Sequence, residues 1–128
     1  MLRITKILMT TIQFIEGMDE EVTAEVRLTR SVSGNNGTAK FTFEKPKAFT
    51  LFEKSKAFRR DVREEITGMH MIDEEGEMIS REVKAKFVNG EPKFLEVEYV
   101  MKSRVEWDRF MRFMERYAKE HGLEFNKA

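Results

Sequence analysis

The chain contains no cysteine. That removes disulfides, thiolate catalysis and cysteine-ligated zinc or iron–sulfur sites from consideration, and it suits a reducing compartment. An excess of one charge is also missing: 23 Lys and Arg balance 23 Asp and Glu, so no global field draws the protein to nucleic acid or anionic lipid. Any electrostatic partner must meet a local patch. No apolar run approaches the roughly 20 residues that cross a bilayer. Residues 1–8 carry two basic side chains but neither an apolar core segment nor a small-residue cleavage site, and so do not read as a secretory signal.

Catalytic signatures are equally scarce. No nucleophile elbow, zinc-protease helix or dinucleotide-binding glycine pattern occurs. His70 and His121 have no second histidine or suitably spaced carboxylate to complete a metal set. Ser33-Gly34-Asn35-Asn36-Gly37 lacks the Lys-Ser/Thr of a phosphate loop and precedes a strand, so it reads as a turn. Asp73, Glu74, Glu75 and Glu77 do not have the spacing of a calcium loop and read as a solvated turn. The expectation is a non-enzyme with no catalytic residue, cofactor or metal.

What the chain does have is apolar periodicity. Forty-one per cent apolar residues in 128 suffice for one modest core. Alternation of period two runs through the first hundred residues. Ile12 and Phe14 mark a first strand. Val22, Ala24, Val26, Leu28 and Val32 share one face of a second, with Glu25, Arg27, Thr29 and Ser31 opposite; Ala39, Phe41 and Phe43 return as its partner. A hairpin follows, from Ile66 to Ile72, turning at 73–76 and continuing from Met78 to Val88. Asn89-Gly90 is a strong hairpin dipeptide. Side-chain parity opposes a simple two-residue loop there, because Val83, Ala85 and Phe87 must share a face with Leu95, Val97, Tyr99 and Met101. A longer loop or a bulge restores the match, and pairing Lys84 with Glu98 and Lys86 with Glu96, or a near register, sets opposite charges side by side.

The stretch 101–125 reads as one amphipathic helix. Ser103 and Glu106 have capping-box spacing, and Gly122 followed by Leu123 suits its end. Trp107, Phe110, Met111, Met114, Tyr117 and Ala118 form its apolar stripe, with Arg109, Arg112 and Arg116 on the other side. His121, near the C-terminus, suits the helix dipole. The expected fold class is α+β: an antiparallel meander sheet of about five or six strands packed on one face by this C-terminal helix.

A meander ends in edge strands whose free N–H and C=O groups accept another chain. Arg27, Arg30, Lys84, Lys86 and Lys102 on the polar faces are candidate partner-binding residues for an acidic or carboxylate-ended segment; the alternative is ordinary solvated charge. Phe113, on the flank of the helix stripe, is either an exposed anchor or a packed flank residue.

Four ordered segments carry a family resemblance: V-R-L-T-R-S (Val26–Ser31), I-T-G-M-H-M-I-D-E-E-G-E (Ile66–Glu77), R-E-V-K-A-K-F-V-N-G (Arg81–Gly90) and E-W-D-R-F-M-R-F-M-E-R-Y-A (Glu106–Ala118). Over about residues 9–127 the chain resembles the Psb twenty-eight family of photosystem II assembly factors. The resemblance implies a non-catalytic accessory factor that binds immature photosystem II at the cytoplasmic (stromal in plastids) face of the thylakoid membrane. Its partners would be reaction-centre core proteins and an inner antenna protein, with no nucleic acid, no cofactor, peripheral attachment through protein contacts, and room for a weak homodimer. It also implies a domain at 9–128 preceded by a disordered extension at 1–8. The chain departs from the family at 45–63, an insertion with seven basic and two acidic residues interleaved with Leu51, Phe52 and Phe58. That segment suits either a short basic amphipathic helix or a surface loop packing its aromatics on the sheet, and it suggests a variant copy within the family. The rival reading is a general peptide- or RNA-binding α+β module; balanced charge and the lack of a paired aromatic strand motif count against RNA.

Overall fold

The period-two stretches fold as strands, and here they assemble into two sheets. The computed structural model describes residues 2, 9–20, 25–50 and 66–124. Among them the strands are β1 (Thr11–Ile15), β2 (Met18–Asp19), β3 (Glu25–Arg30), β4 (Gly37–Glu44), β5 (Met69–Asp73), β6 (Gly76–Ser80), β7 (Glu82–Val88) and β8 (Glu91–Met101), followed by helix α1 (Arg104–Glu120). One sheet has the order β2-β1-β5-β6 and the other β3-β4-β8-β7, and every neighbouring pair is antiparallel. The α+β class agrees with the sequence reading, but the single meander of five or six strands does not. β1 pairs with β5 and β4 with β8 across long separations, so the chain alternates between sheets.

The switch from β6 to β7 occurs at Arg81, a one-residue break in what the sequence presents as one long strand. Val26, Leu28, Ala39, Phe41, Phe43, Leu95 and Val97 form the inner face of the second sheet. Phe14 of the first sheet meets Phe43 edge-on at 4.9 Å, while Phe110 of the helix meets Phe41 edge-on at 6.0 Å. Sheet and helix thus share the cover of one inner face. Edge-to-face contacts of this kind add about 0.5–1.5 kcal/mol beyond their buried area.

The helix ends largely as written in the sequence. Ser103 Oγ accepts from Glu106 N–H at 3.2 Å, as a capping residue should. The reciprocal bond is displaced by one residue: the Glu106 carboxylate accepts from the Lys102 N–H rather than that of Ser103. At the other end Gly122 takes φ 68° and the Leu123 N–H reaches back to Ala118 O at 2.7 Å, a Schellman closure. His121 is the C-cap, and its Nε2–H donates to Thr10 O at 2.8 Å. Glu120 accepts the Met9 N–H at 2.9 Å, so the helix end holds the entry to β1.

Several expectations need correction. Val32 lies beyond β3, in the turn, and is fully exposed rather than on the strand's apolar face. Phe113 is 0% exposed, the packed reading and not the anchor. Val22 and Ala24 lie outside the described residues, as do the expected disordered extension apart from the exposed Leu2, and Leu51, Phe52 and Phe58 of the 45–63 segment. The part of that segment that is described packs inward: a helical turn begins at 48–50, and Ala48 and Phe49 join the core.

Candidate partner-binding edge

Among the described residues four strands bound the two sheets. β2 has two residues and β6 five, whereas β3 has six and β7 seven, so the second sheet offers the longer edges. β7 exists because Val83, Phe87 and Val88 favour extended backbone and because a tight turn returns β8 beside it. Asn89 (φ 53°) and Gly90 (φ 79°) are both left-handed, as a type I′ hairpin turn requires, and Val88 faces Glu91 across it. A bulge between Lys86 and Phe87 then restores side-chain parity. Of the readings the sequence left open, a two-residue turn with a bulge is therefore the observed one. The register pairs Lys84 with Glu96 and Lys86 with Phe94, two residues from the expected Lys84–Glu98 and Lys86–Glu96. The Lys86–Glu96 charge pair survives as a diagonal contact, Nζ to Oε1 at 3.0 Å.

Every residue of β7 except Val83 is exposed. Phe87 keeps 49% of its surface in water, and Val88 is also exposed. Beneath the strand lies a cavity of about 330 Å³ lined by Phe49, Ile66, Arg81, Val83, Ala85, Phe87, Pro92 and Leu95, among others. A strand side with no partner among the described residues, two outward lysines and an apolar recess under the inward positions are the parts of a β-augmentation site.

The other candidate residues do not gather there. Arg27 sits on the outer face of β3, at the opposite margin of the same sheet, within 3.3 Å of Glu25. Arg30, one residue out of phase with Arg27, falls on the inner face. Its guanidinium lies 5.1 Å from the Trp107 ring centroid and donates to Gly34 O at 3.2 and 3.1 Å. Its role here is to cover the indole and close the β3–β4 turn. Lys102 is exposed between β8 and the helix. The five basic residues therefore form no single patch: Lys84 and Lys86 mark one edge, Arg27 the other.

The sequence reading missed a charge cluster at the β5–β6 turn. Asp73, expected in a solvated turn, has a side chain with 0% exposure. Arg109 donates to both its oxygens, at 2.8 and 2.6 Å; Arg116 adds a bond at 3.0 Å and the Glu75 N–H another at 3.0 Å. Arg112 forks onto Glu75 at 2.9 Å twice, and Arg116 contacts Glu75 as well as Glu74 at 3.2 Å. Burial pushes the Asp73 carboxyl up, but the guanidinium bonds from Arg109 and Arg116 outweigh it and leave it below its usual value. Bonds from Arg112 and Arg116 pull the Glu75 carboxyl down to about 2. Arg112 and Arg116 are correspondingly held above the ordinary guanidinium value, chiefly by Glu75. The signal was present: arginines at i, i+3 and i+7 share one helix face, and three carboxylates share one turn. With its cations and anions satisfying one another, this cluster fastens the helix to the first sheet.

Among the described residues no group of three or more His, Asp or Glu side chains is placed to hold a metal ion. Nor does any described helix have the length and apolarity to cross a membrane.

Comparison with known proteins bears on the same elements. The family model described as Psb28 protein matches residues 12–125. A relative from Trichodesmium erythraeum, named photosystem II reaction center Psb28 protein, is 67% identical over 120 residues, covering 94% of this chain and 98% of its own. Relatives of the same name from Nostoc punctiforme and Cyanophora paradoxa are 58% and 51% identical over 120 residues, each covering 94% of this chain and 98% of the relative. With the match running from β1 past the end of the C-terminal helix, the chain belongs to the Psb28 family.

Proposed function

We propose that this chain is a non-catalytic accessory factor of photosystem II, acting in residues 9–128 as one domain. It binds immature complexes at the cytoplasmic or stromal face of the thylakoid membrane during assembly or repair. Family membership supports the photosystem, since the relatives bear its name. The β7 edge carries the mechanism: seven residues with one side unpaired among the described residues, two outward lysines and an apolar recess beneath. An extended segment of a reaction-centre core protein or of an inner antenna protein adds to the sheet there, its main chain giving affinity and its side chains fixing register. Attachment to the membrane is then peripheral, through protein contacts.

A pull-down from solubilised thylakoids with mass spectrometry tests this. The wild-type chain should recover photosystem II core subunits, and Lys84→Glu with Lys86→Glu should lose most of that recovery without loss of fold by circular dichroism. Equal recovery by the double variant would remove the β7 edge as the contact. Recovery of no photosystem II subunit by the wild type would remove the whole reading.

A further inference from the structure

The cavity under the second sheet has an apolar end and a polar end. Its floor is Leu95 and Phe49, both buried. Val83, Ala85 and Phe87 continue the apolar lining along β7 toward the β7–β8 turn, where Pro92 faces Phe87. The two polar lining residues, Thr67 and Arg81, gather at the other end. β5 and β6 pair Met69 with Ser80, and Thr67 and Arg81 each lie just beyond that pair, so the chain brings them to one rim. Both are exposed there.

That rim offers a hydroxyl and a guanidinium. Among the described residues Arg81 has no ion-pair partner, whereas Arg109, Arg112 and Arg116 are all taken up by Asp73, Glu74 and Glu75. An unpaired guanidinium has a fork of N–H donors that matches a carboxylate. The cavity opens on the face of the sheet, where a strand presents side chains, while its N–H and C=O groups lie in the sheet plane. An occupant is therefore recognised by apolar volume and by the Thr67–Arg81 rim, without a main-chain ladder. The volume, about 330 Å³, is at the small end of ligand sites, which run from about 300 to 1,000 Å³. It has room for one alkyl chain and none for a macrocycle or a two-chain lipid.

We infer that this cavity is a binding site for a free fatty acid. The carboxylate sits on Arg81 with the Thr67 hydroxyl beside it, and the alkyl chain lies over Leu95 along Val83, Ala85 and Phe87. This goes beyond the proposed function and does not depend on it, since the ligand occupies the face of the sheet and leaves the open side of β7 unused.

The test titrates the full chain with hexanoate, octanoate, decanoate, dodecanoate and hexadecanoate below their aggregation concentrations. The methyl resonances of Val83 and Leu95 report both binding and an intact fold. They should shift with one site per chain, and affinity should rise about fourfold per methylene until the cavity is full and then level off. Decanol, with the same tail and no charge, should bind about tenfold or more weakly than decanoate, the size of one charge-assisted hydrogen bond. Arg81→Gln should weaken decanoate by a similar factor and leave decanol unchanged. Ala85→Trp, which fills the cavity from an exposed position, should abolish both; if that variant does not fold, the chain-length series and Arg81→Gln decide the matter. Equal affinity for decanoate and decanol overturns the assignment of Arg81 and with it the ligand. Affinity that climbs without levelling, or Val83 and Leu95 shifts produced by phosphatidylglycerol vesicles and by none of the monomeric acids, shows a lipid-adsorbing surface and overturns the site. Unmoved Val83 and Leu95 methyls throughout also overturn it.

Discussion

Arg109 grips Asp73 with two hydrogen bonds, at 2.8 and 2.6 Å, across 36 residues of sequence. The Asp73 side chain is wholly buried and that of Arg109 keeps 18% of its surface. Removing one member of such a pair strands the other, which costs more than the pair contributes over an apolar substitute. Asp73→Ala should therefore destabilise the fold by about 3 kcal/mol. Arg112→Ala, at the exposed end of the same cluster, should cost far less. Urea denaturation of both variants decides it; equal midpoints would show that Asp73 is no more than a surface charge.

The same cluster sets an acid limit. Asp73 and Glu75 both titrate below their ordinary values of 3.8 and 4.5, Glu75 near 2. A carboxyl depressed in the folded state binds protons more weakly there than in the unfolded chain, so acid favours unfolding. The contribution is complete above about pH 5 and disappears as pH falls through about 4.5 toward 2. Urea midpoints at pH 7, 4.5 and 3 should fall on that course. Glu75→Gln should show a shallower fall over the same interval, and an unchanged slope would assign the acid sensitivity elsewhere.

Gly37 is a glycine for a reason outside its own strand. A Cβ there would lie 2.3 Å from Trp107 Cζ3 and 2.5 Å from the Thr29 carbonyl oxygen. The indole is a side chain and can swing aside, but the carbonyl is backbone of the paired strand β3 and is held in the sheet. Gly37→Ala should destabilise by about 1–3 kcal/mol, the range for overpacking a close contact. Trp107 fluorescence should shift with it, since the ring must leave its seat between Gly37 and Arg30. A variant of wild-type stability and emission would refute the contact.

These contacts also show which parts of the fold were legible in the sequence. Ser103, Gly122 and the Trp107 stripe announced the helix because capping and amphipathicity are settled within a few residues. Asn89-Gly90 announced its turn for the same reason, and parity required either a longer loop or a bulge, of which the bulge is the one found. The division into two sheets stayed hidden because a lone break at Arg81 leaves the alternation on either side intact. Phe113 was ambiguous because the helix touches both sheets, which buries a wider arc than one sheet would. Arg30 was assigned to the polar face by residue type, although its parity with Val26 and Leu28 already placed it inside. The open β7 edge was legible as a feature of meanders in general; which strand would be left at the margin was not, because that depends on the distant β4–β8 pairing.

Glu20 is the last of these non-local devices. It is buried, 1% exposed, and its carboxylate accepts the N–H of Lys47 at 2.8 Å and of Ala48 at 3.0 Å, where the chain begins its helical turn. Helix starts leave N–H groups without partners, and here another segment of the chain supplies the acceptor. Glu20→Ala withdraws it and should cost about 2–4 kcal/mol, since each buried unsatisfied donor costs about 1–3. Glu20→Gln keeps an acceptor for one N–H and should cost less. The charge has a second reporter: burial first, then Glu20 and Asp19, push the Tyr117 phenol up to about 12. Replacing Glu20 by Gln should therefore lower the pH at which Tyr117 ionises, read from its ultraviolet absorbance. Hydrogen exchange supplies the local measurement, with the Lys47 and Ala48 amides losing protection in Glu20→Ala ahead of the rest of the core. If those two amides stay as protected as in the wild type, Glu20 is buried there without holding the turn.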